Sequence, residues 1–169
     1  MVYTLRCILD TEEDVIRDII LKESLSLYDL HLAIVKFFHL PPGEMASFYR
    51  TNDDWEQGEE IPLIDMNDGG PSHEMKNHSL SSIFNKEQDK LLYIYDFFKM
   101  WTFFISLNKV KDNTMPQEVS LGFSLGILPE KAPAKNFISD NTFTDDFDDP
   151  FSTEFDDSID NDEDFDNYY

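Results

Sequence analysis

The last thirty residues, Asp140 to Tyr169, carry 13 carboxylates and no basic side chain. Ile159 is the one aliphatic residue among them. Such a segment has too little apolar surface to offset the entropy of ordering, and no cation of its own to pair with, so it is expected to be disordered. Residues 1–139 hold 22 acidic and all 13 basic residues, a net charge of −9 against −22 for the 169-residue chain. That length suits one domain with a real core. The expected organisation is a single domain over 1–139, followed by an acidic, aromatic-containing tail over 140–169.

Charge and cysteine count exclude several classes of function. The negative balance argues against a nucleic-acid surface, because phosphate contacts need clustered Lys and Arg. One cysteine cannot build a disulfide framework or a Cys-based zinc site, and a reducing, cytoplasmic setting is the expectation. No apolar run approaches the ~18 residues of a membrane span. The first ten residues alternate polar and apolar without a basic start, so no signal peptide is expected.

Hydropathy patterning divides the domain. Tyr3, Leu5, Cys7 and Leu9 alternate with less apolar neighbours and predict a strand. Asp10–Asp14 is a polar turn, and Val15–Leu21, β-branched but broken by Arg17 and Asp18, predicts the returning strand of a hairpin. Ser26 with Asp29 three residues on is an N-terminal helix signal. Leu27, Leu30, Ile34, Phe37 and Phe38 share one helical face, and Pro41-Pro42-Gly43 ends it, which predicts a helix over Leu27–Phe38.

Short strands are expected at Met45–Arg50 and from Ile61, where Pro62 favours a sheet edge. Thr51–Glu60 reads as a loop or hairpin turn, and Asn67–Asn77 as a flexible loop. Ser79 is expected to cap one helical turn through Phe84. Leu91–Phe97 and Thr102–Val110 form the strongest strand pair. Leu121–Leu128 is a strand or an extended arm, weakened by Gly122 and Gly126. A hairpin, then a main helix, then more strands predicts an α+β domain with a mixed sheet and the helix on one face, a β-grasp-like element order.

These segments resemble the plasmid pRiA4b ORF-three-like family, also described as insertion-element passenger proteins. The likeness is carried by Tyr3-Thr4-Leu5, Val15-Ile16-Arg17 and Leu30-His31, and by the run from Tyr95-Asp96-Phe97 through Trp101 to Phe103. Glu44 to Tyr49, Asp53-Asp54-Trp55 and Ile64-Asp65-Met66 resemble an acidic-tailed branch of that family. Where the family pattern has Gly, a second Asp and a His, this chain has Phe98, Lys99 and Phe103. The resemblance spans about residues 3–110 and implies association with mobile elements. It brings no activity with it, and any acid/base or metal site built on that Asp and His is lost here.

The candidate chemistry is sparse. His31, beside the apolar helix face, is either a buried base or ligand or a structural histidine with one bonded nitrogen. Asp96, in an apolar strand, is either a site anchor or a carboxylate paired with Arg6, Arg17 or a turn amide. Together with Tyr95 and Trp101 they outline a candidate ligand pocket. His39 suits the negative helix end. His73 and His78 lie in a polar loop, where metal binding has little support. Asp65 to Gly69 lacks the spacing of a calcium loop, so no metal is expected. Cys7 reads as an inert core thiol. No nucleophile elbow or phosphate-cradling glycine loop occurs, so no cofactor and no catalytic residue is assigned and the balance leans away from an enzyme.

The tail is distinctive because Phe143, Phe147, Phe151 and Phe155 recur every four residues among acids. They read as anchors that order on a protein partner, or the tail is a solubilising arm, or it mimics nucleic-acid charge toward a basic surface. The expected function is a non-enzymatic interaction module with an unidentified protein partner gripping the tail. A small-ligand protein or enzyme is the alternative, and direct DNA binding comes last.

Overall fold

The computed structural model describes residues 1–66, 71–112 and 119–134, all within the compact unit Met1–Lys135. Its strands are β1 (Val2–Leu9), β2 (Ile16–Lys22), β3 (Ala46–Thr51), β4 (Gln57–Pro62), β5 (Lys90–Tyr95), β6 (Trp101–Lys111) and β7 (Ser120–Leu125). The described helices are α1 (Leu27–Phe38) and α2 (Leu80–Ile83), with a 3-10 turn at Met75–Asn77. The strands form one sheet in the order β4-β3-β5-β6-β1-β2-β7.

The expected mixed sheet is corrected, since all six neighbouring pairs are antiparallel. The reason lies in the connections. A parallel pair needs a crossover of a dozen or more residues between neighbours. Tight turns join β1 to β2 and β5 to β6, while α1 carries the chain between β2 and β3, which have three strands between them in the sheet. The hairpin-then-helix opening is present, but the helix does not link neighbouring strands.

Period-two alternation puts Tyr3, Leu5, Cys7 and Leu9 of β1 and Trp101, Phe103, Ile105 and Leu107 of β6 into the core. From α1 come Leu27, Leu30, Ala33, Ile34 and Phe38. Each large side chain fully buried this way contributes about 1.5–3 kcal/mol. The helix starts on a reciprocal cap. The Asp29 amide donates to Ser26 Oγ at 3.2 Å and the Ser26 amide donates to Asp29 Oδ2 at 2.8 Å. It stops at His39, in the left-handed region at φ 56°.

Three local expectations change. The expected loop or hairpin turn over Thr51–Glu60 is the turn of the β3–β4 hairpin, but it is already strand from Gln57, and β4 ends at Pro62 instead of starting at Ile61. Its Glu59 and Glu60 are exposed, so no apolar alternation marks it. Within the expected loop Asn67–Asn77, Met75 is fully buried in the 3-10 turn. Ser79 opens α2 without a side-chain capping bond.

Leu121–Leu125 is strand, closing one edge of the sheet against β2. A Cβ at Gly122 would crowd Ile20 Cδ1 at 3.1 Å and the Asp18 carbonyl oxygen at 3.3 Å. Gly126 turns the chain at φ 74°, where a Cβ would collide with the Asp14 carbonyl oxygen. Both glycines therefore fit the strand and its end instead of breaking it. The tail, with Phe143, Phe147, Phe151 and Phe155, lies outside the described residues, as do Asn67–Gly70.

Candidate functional site

Helix α1 turns His31 toward the β3–β5 side of the sheet, where it is 6 % exposed. Its Nδ1 lies 2.7 Å from the hydroxyl of Tyr93, a fully buried tyrosine of β5. Tyr93 and Tyr95 are two residues apart and so face the same side of the strand. The rings of Tyr28 and Tyr95 lie 5.8 and 6.1 Å from the imidazole. Burial pushes the His31 pKa down to about 4, so the ring is neutral at physiological pH. Burial likewise raises Tyr93 well above the usual phenol range.

His31 lines a cleft of about 530 Å³. Tyr28, Leu32, Met45, Leu63 and Ile64 supply its apolar wall, and Glu44, Glu74 and Lys76 its polar rim. Lys76 pairs with Glu74 and holds that carboxyl below the usual range. The lip at residues 43–45 is pinned from below. Tyr95 donates its hydroxyl to the Pro41 carbonyl and accepts from the Glu44 amide at 3.4 Å, and the Asp96 amide donates to the Met45 carbonyl at 2.9 Å. The arrangement is equipped for binding: an apolar wall, a neutral imidazole and a pinned lip.

The four residues expected to form a pocket separate into distinct roles. His31 lines the cleft, and Tyr95 supports its lip. Asp96 sits at the turn after β5 with φ 58°, and its Oδ1 accepts from the Phe98 and Lys99 amides at 3.1 and 3.2 Å. Of the partners weighed for it, the turn amides are the ones found, with Lys99 Nζ a further 3.7 Å away. Arg6 instead pairs with Asp18 through two bonds of 2.8 Å. Trp101 is buried opposite Tyr95, and its Nε1 has no hydrogen-bond partner among the described residues. Neither Asp96 nor Trp101 lines the cleft.

His73 and His78 stack with ring centres 6.4 Å apart. Among the described residues no group of three or more His, Cys, Asp or Glu side chains is placed to hold a metal. Cys7 is fully buried, and burial raises its thiol pKa, which suits an inert core residue. No described helix is long and apolar enough to cross a membrane.

Sequence reasoning did not single out Tyr93, Tyr28, Met45 or Leu63. The signal for Tyr93 was present in the Tyr-x-Tyr alternation of β5, but its partner lies 62 positions earlier in the chain. No local pattern reports a contact of that range.

Three comparisons bear on identity. The sequence profile of the plasmid pRiA4b ORF-3-like protein family matches residues 1–124. No curated protein matches the chain. The crystal structure of a protein of unknown function, MM3350 from Methanosarcina mazei Go1, is similar with a TM-score of 0.60 and 24% identity. That likeness covers 73% of this chain and 68% of the other, and it speaks for the fold alone.

Proposed function

The chain belongs to the plasmid pRiA4b ORF-3-like family, and for this member we propose a non-enzymatic role as a protein-interaction module that receives an added strand at β7. The observation that carries this reading is the contrast between the sheet's two edges. Natural edge strands are blunted by charge and proline. Edge strand β4 has both, in Glu59, Glu60 and Pro62. Edge strand β7 has neither. Residues 119–129 bear no charge at all in a chain of net −22, and Leu121, Phe123 and Leu125 are 38, 48 and 44 % exposed. An extended segment with alternating apolar side chains adds to such an edge through main-chain hydrogen bonds. The chain's negative charge selects a basic partner over an acidic one. The tail, with Phe143, Phe147, Phe151 and Phe155, supplies a second contact on the same partner, and linked contacts strengthen one another.

The test is a quantitative pulldown comparing the intact chain with Phe123→Lys and with a deletion of residues 140–169. A basic partner retained by the intact chain and depleted from both variants supports the reading. A partner set unchanged in both leaves β7 and the tail as solubilising surface and ends it.

A second reading is a small-ligand protein whose pocket is the α1 cleft. It is favoured by one observation, the nine-tenths-buried His31 that faces that cleft.

A further inference from the structure

The hydrogen bond beneath the cleft decides which His31 nitrogen carries the proton. Tyr93 is fully buried, and its hydroxyl proton needs an acceptor. The acceptor within reach among the described residues is His31 Nδ1, at 2.7 Å. Were Nδ1 protonated instead, it would donate to the phenol oxygen and strand the hydroxyl proton in the core. The low-energy arrangement is therefore Tyr93 O–H donating to a bare Nδ1, which leaves the proton on Nε2. That nitrogen has no hydrogen-bond partner among the described residues, and the residue bearing it lines the cleft.

A neutral N–H donor in an apolar wall selects its ligand. An anion meets Glu44 and Glu74 at the rim, and Lys76 is already paired with Glu74. A cation cannot accept the N–H. A purely apolar molecule leaves that donor unsatisfied on burial, which costs about 1–3 kcal/mol. The volume, about 530 Å³, falls in the range of small-molecule sites. We propose that the α1 cleft binds a small uncharged molecule with an apolar body and a carbonyl-type acceptor oxygen, and that His31 Nε2–H donates to that oxygen. This rests on the second reading above, in which the cleft is a ligand pocket, and is independent of strand addition at β7.

The test uses the intact chain and four probes of one shape: benzamide, benzoate, benzylamine and toluene. Long-range nitrogen–proton NMR of the free protein should show His31 as the Nε2–H tautomer. Titration should move the Nε2 signal with benzamide and far less with the other three. His31→Phe should weaken benzamide binding about tenfold, the worth of one hydrogen bond. Tyr93→Phe, which keeps the ring packing, should release the tautomer preference and weaken binding by a smaller factor. An Nδ1–H tautomer, or benzamide affinity unchanged in His31→Phe, overturns the inference. Equal binding of toluene or benzylamine leaves a pocket but overturns its acceptor selectivity. No response to any of the four overturns the inference and the pocket reading together.

Discussion

Arg17 and His31 are both buried polar side chains, one near each end of the sheet, and they are used in opposite ways. Arg17 directs its guanidinium at four backbone carbonyls: Phe37 at 3.2 Å, Ile16 at 2.7 Å, Leu125 at 2.6 Å and Gly126 at 3.0 Å. It also lies 5.1 Å from the centre of the Phe38 ring. It thereby ties the C-terminal end of α1 and the end of β7 to β2. His31 makes one hydrogen bond, to Tyr93, and turns its other nitrogen to a cleft. Burial alone does not separate them, since both are 6 % exposed. The number of partners does: Arg17 commits four of its five N–H donors to backbone carbonyls and holds the fold, whereas His31 makes one bond and turns its second nitrogen to a cleft, which gives it capacity for a ligand.

The largest effect should follow from breaking the more heavily bonded group. Arg17→Met keeps much of the apolar stem but removes every donor, leaving four carbonyls to find water or go without. A loss of about 3 kcal/mol in urea unfolding is expected. Arg17→Lys should recover less than half, because one ammonium cannot span acceptors that a planar fork reaches. Amide exchange should quicken in β7 more than in β5. A cost below about 1 kcal/mol for Arg17→Met would erase the contrast with His31.

His31 gives the next largest effect, and its sign is set by burial. The folded pKa of about 4 lies below the ordinary 6.5, so the unfolded chain takes up the proton first. The stability this residue contributes is complete above pH 6.5 and is lost as pH falls through 4. The gap is worth up to about 3 kcal/mol. The carboxylates that face the cleft, Glu44 and Glu74, are present in wild type and variant alike, so a difference isolates the imidazole. Between pH 7 and 4 the wild type should lose more stability than His31→Gln. Superimposable curves would mean that the ring is hydrated in the folded chain, and the cleft donor would lose its basis.

What the sequence showed of this contrast follows from distance along the chain. The Ser26–Asp29 cap and the Leu27–Phe38 face are local, and the helix bounds match them. The alternation in β1 and β6 is local too. Strand β4 hid because both its faces are wet at Gln57–Glu60, which removes the period-two signal. Arg17 looked like a break in an apolar strand, whereas it sits on the core-facing side and its acceptors at Leu125 and Gly126 lie more than a hundred positions away. His31 was visible as a candidate, but not its dependence on Tyr93. Of the four pocket residues, His31 lines the cleft and Tyr95 supports its lip from below. Asp96 folds back onto the amides of its own turn, and Trp101 lies beside Tyr95 in the core without reaching the cleft lining.

Asp96 supplies the smallest expected effect and the finest test of counting partners. Its Oδ1 already accepts two turn amides, and the nearby Lys99 side chain is 57% exposed. An ion pair that wet contributes little. Asparagine offers the same acceptor oxygen and tolerates the left-handed backbone at φ 58°. Asp96→Asn should therefore change stability by no more than about 0.5 kcal/mol, while Asp96→Ala, which loses both turn bonds and strains the backbone, should cost about 1–2 kcal/mol. Thermal unfolding of the two variants side by side decides it. If asparagine costs as much as alanine, the negative charge carries the interaction. Asp96 would then join His31 as a group whose capacity its visible partners do not exhaust, and the rule drawn from Arg17 would need charge as well as count.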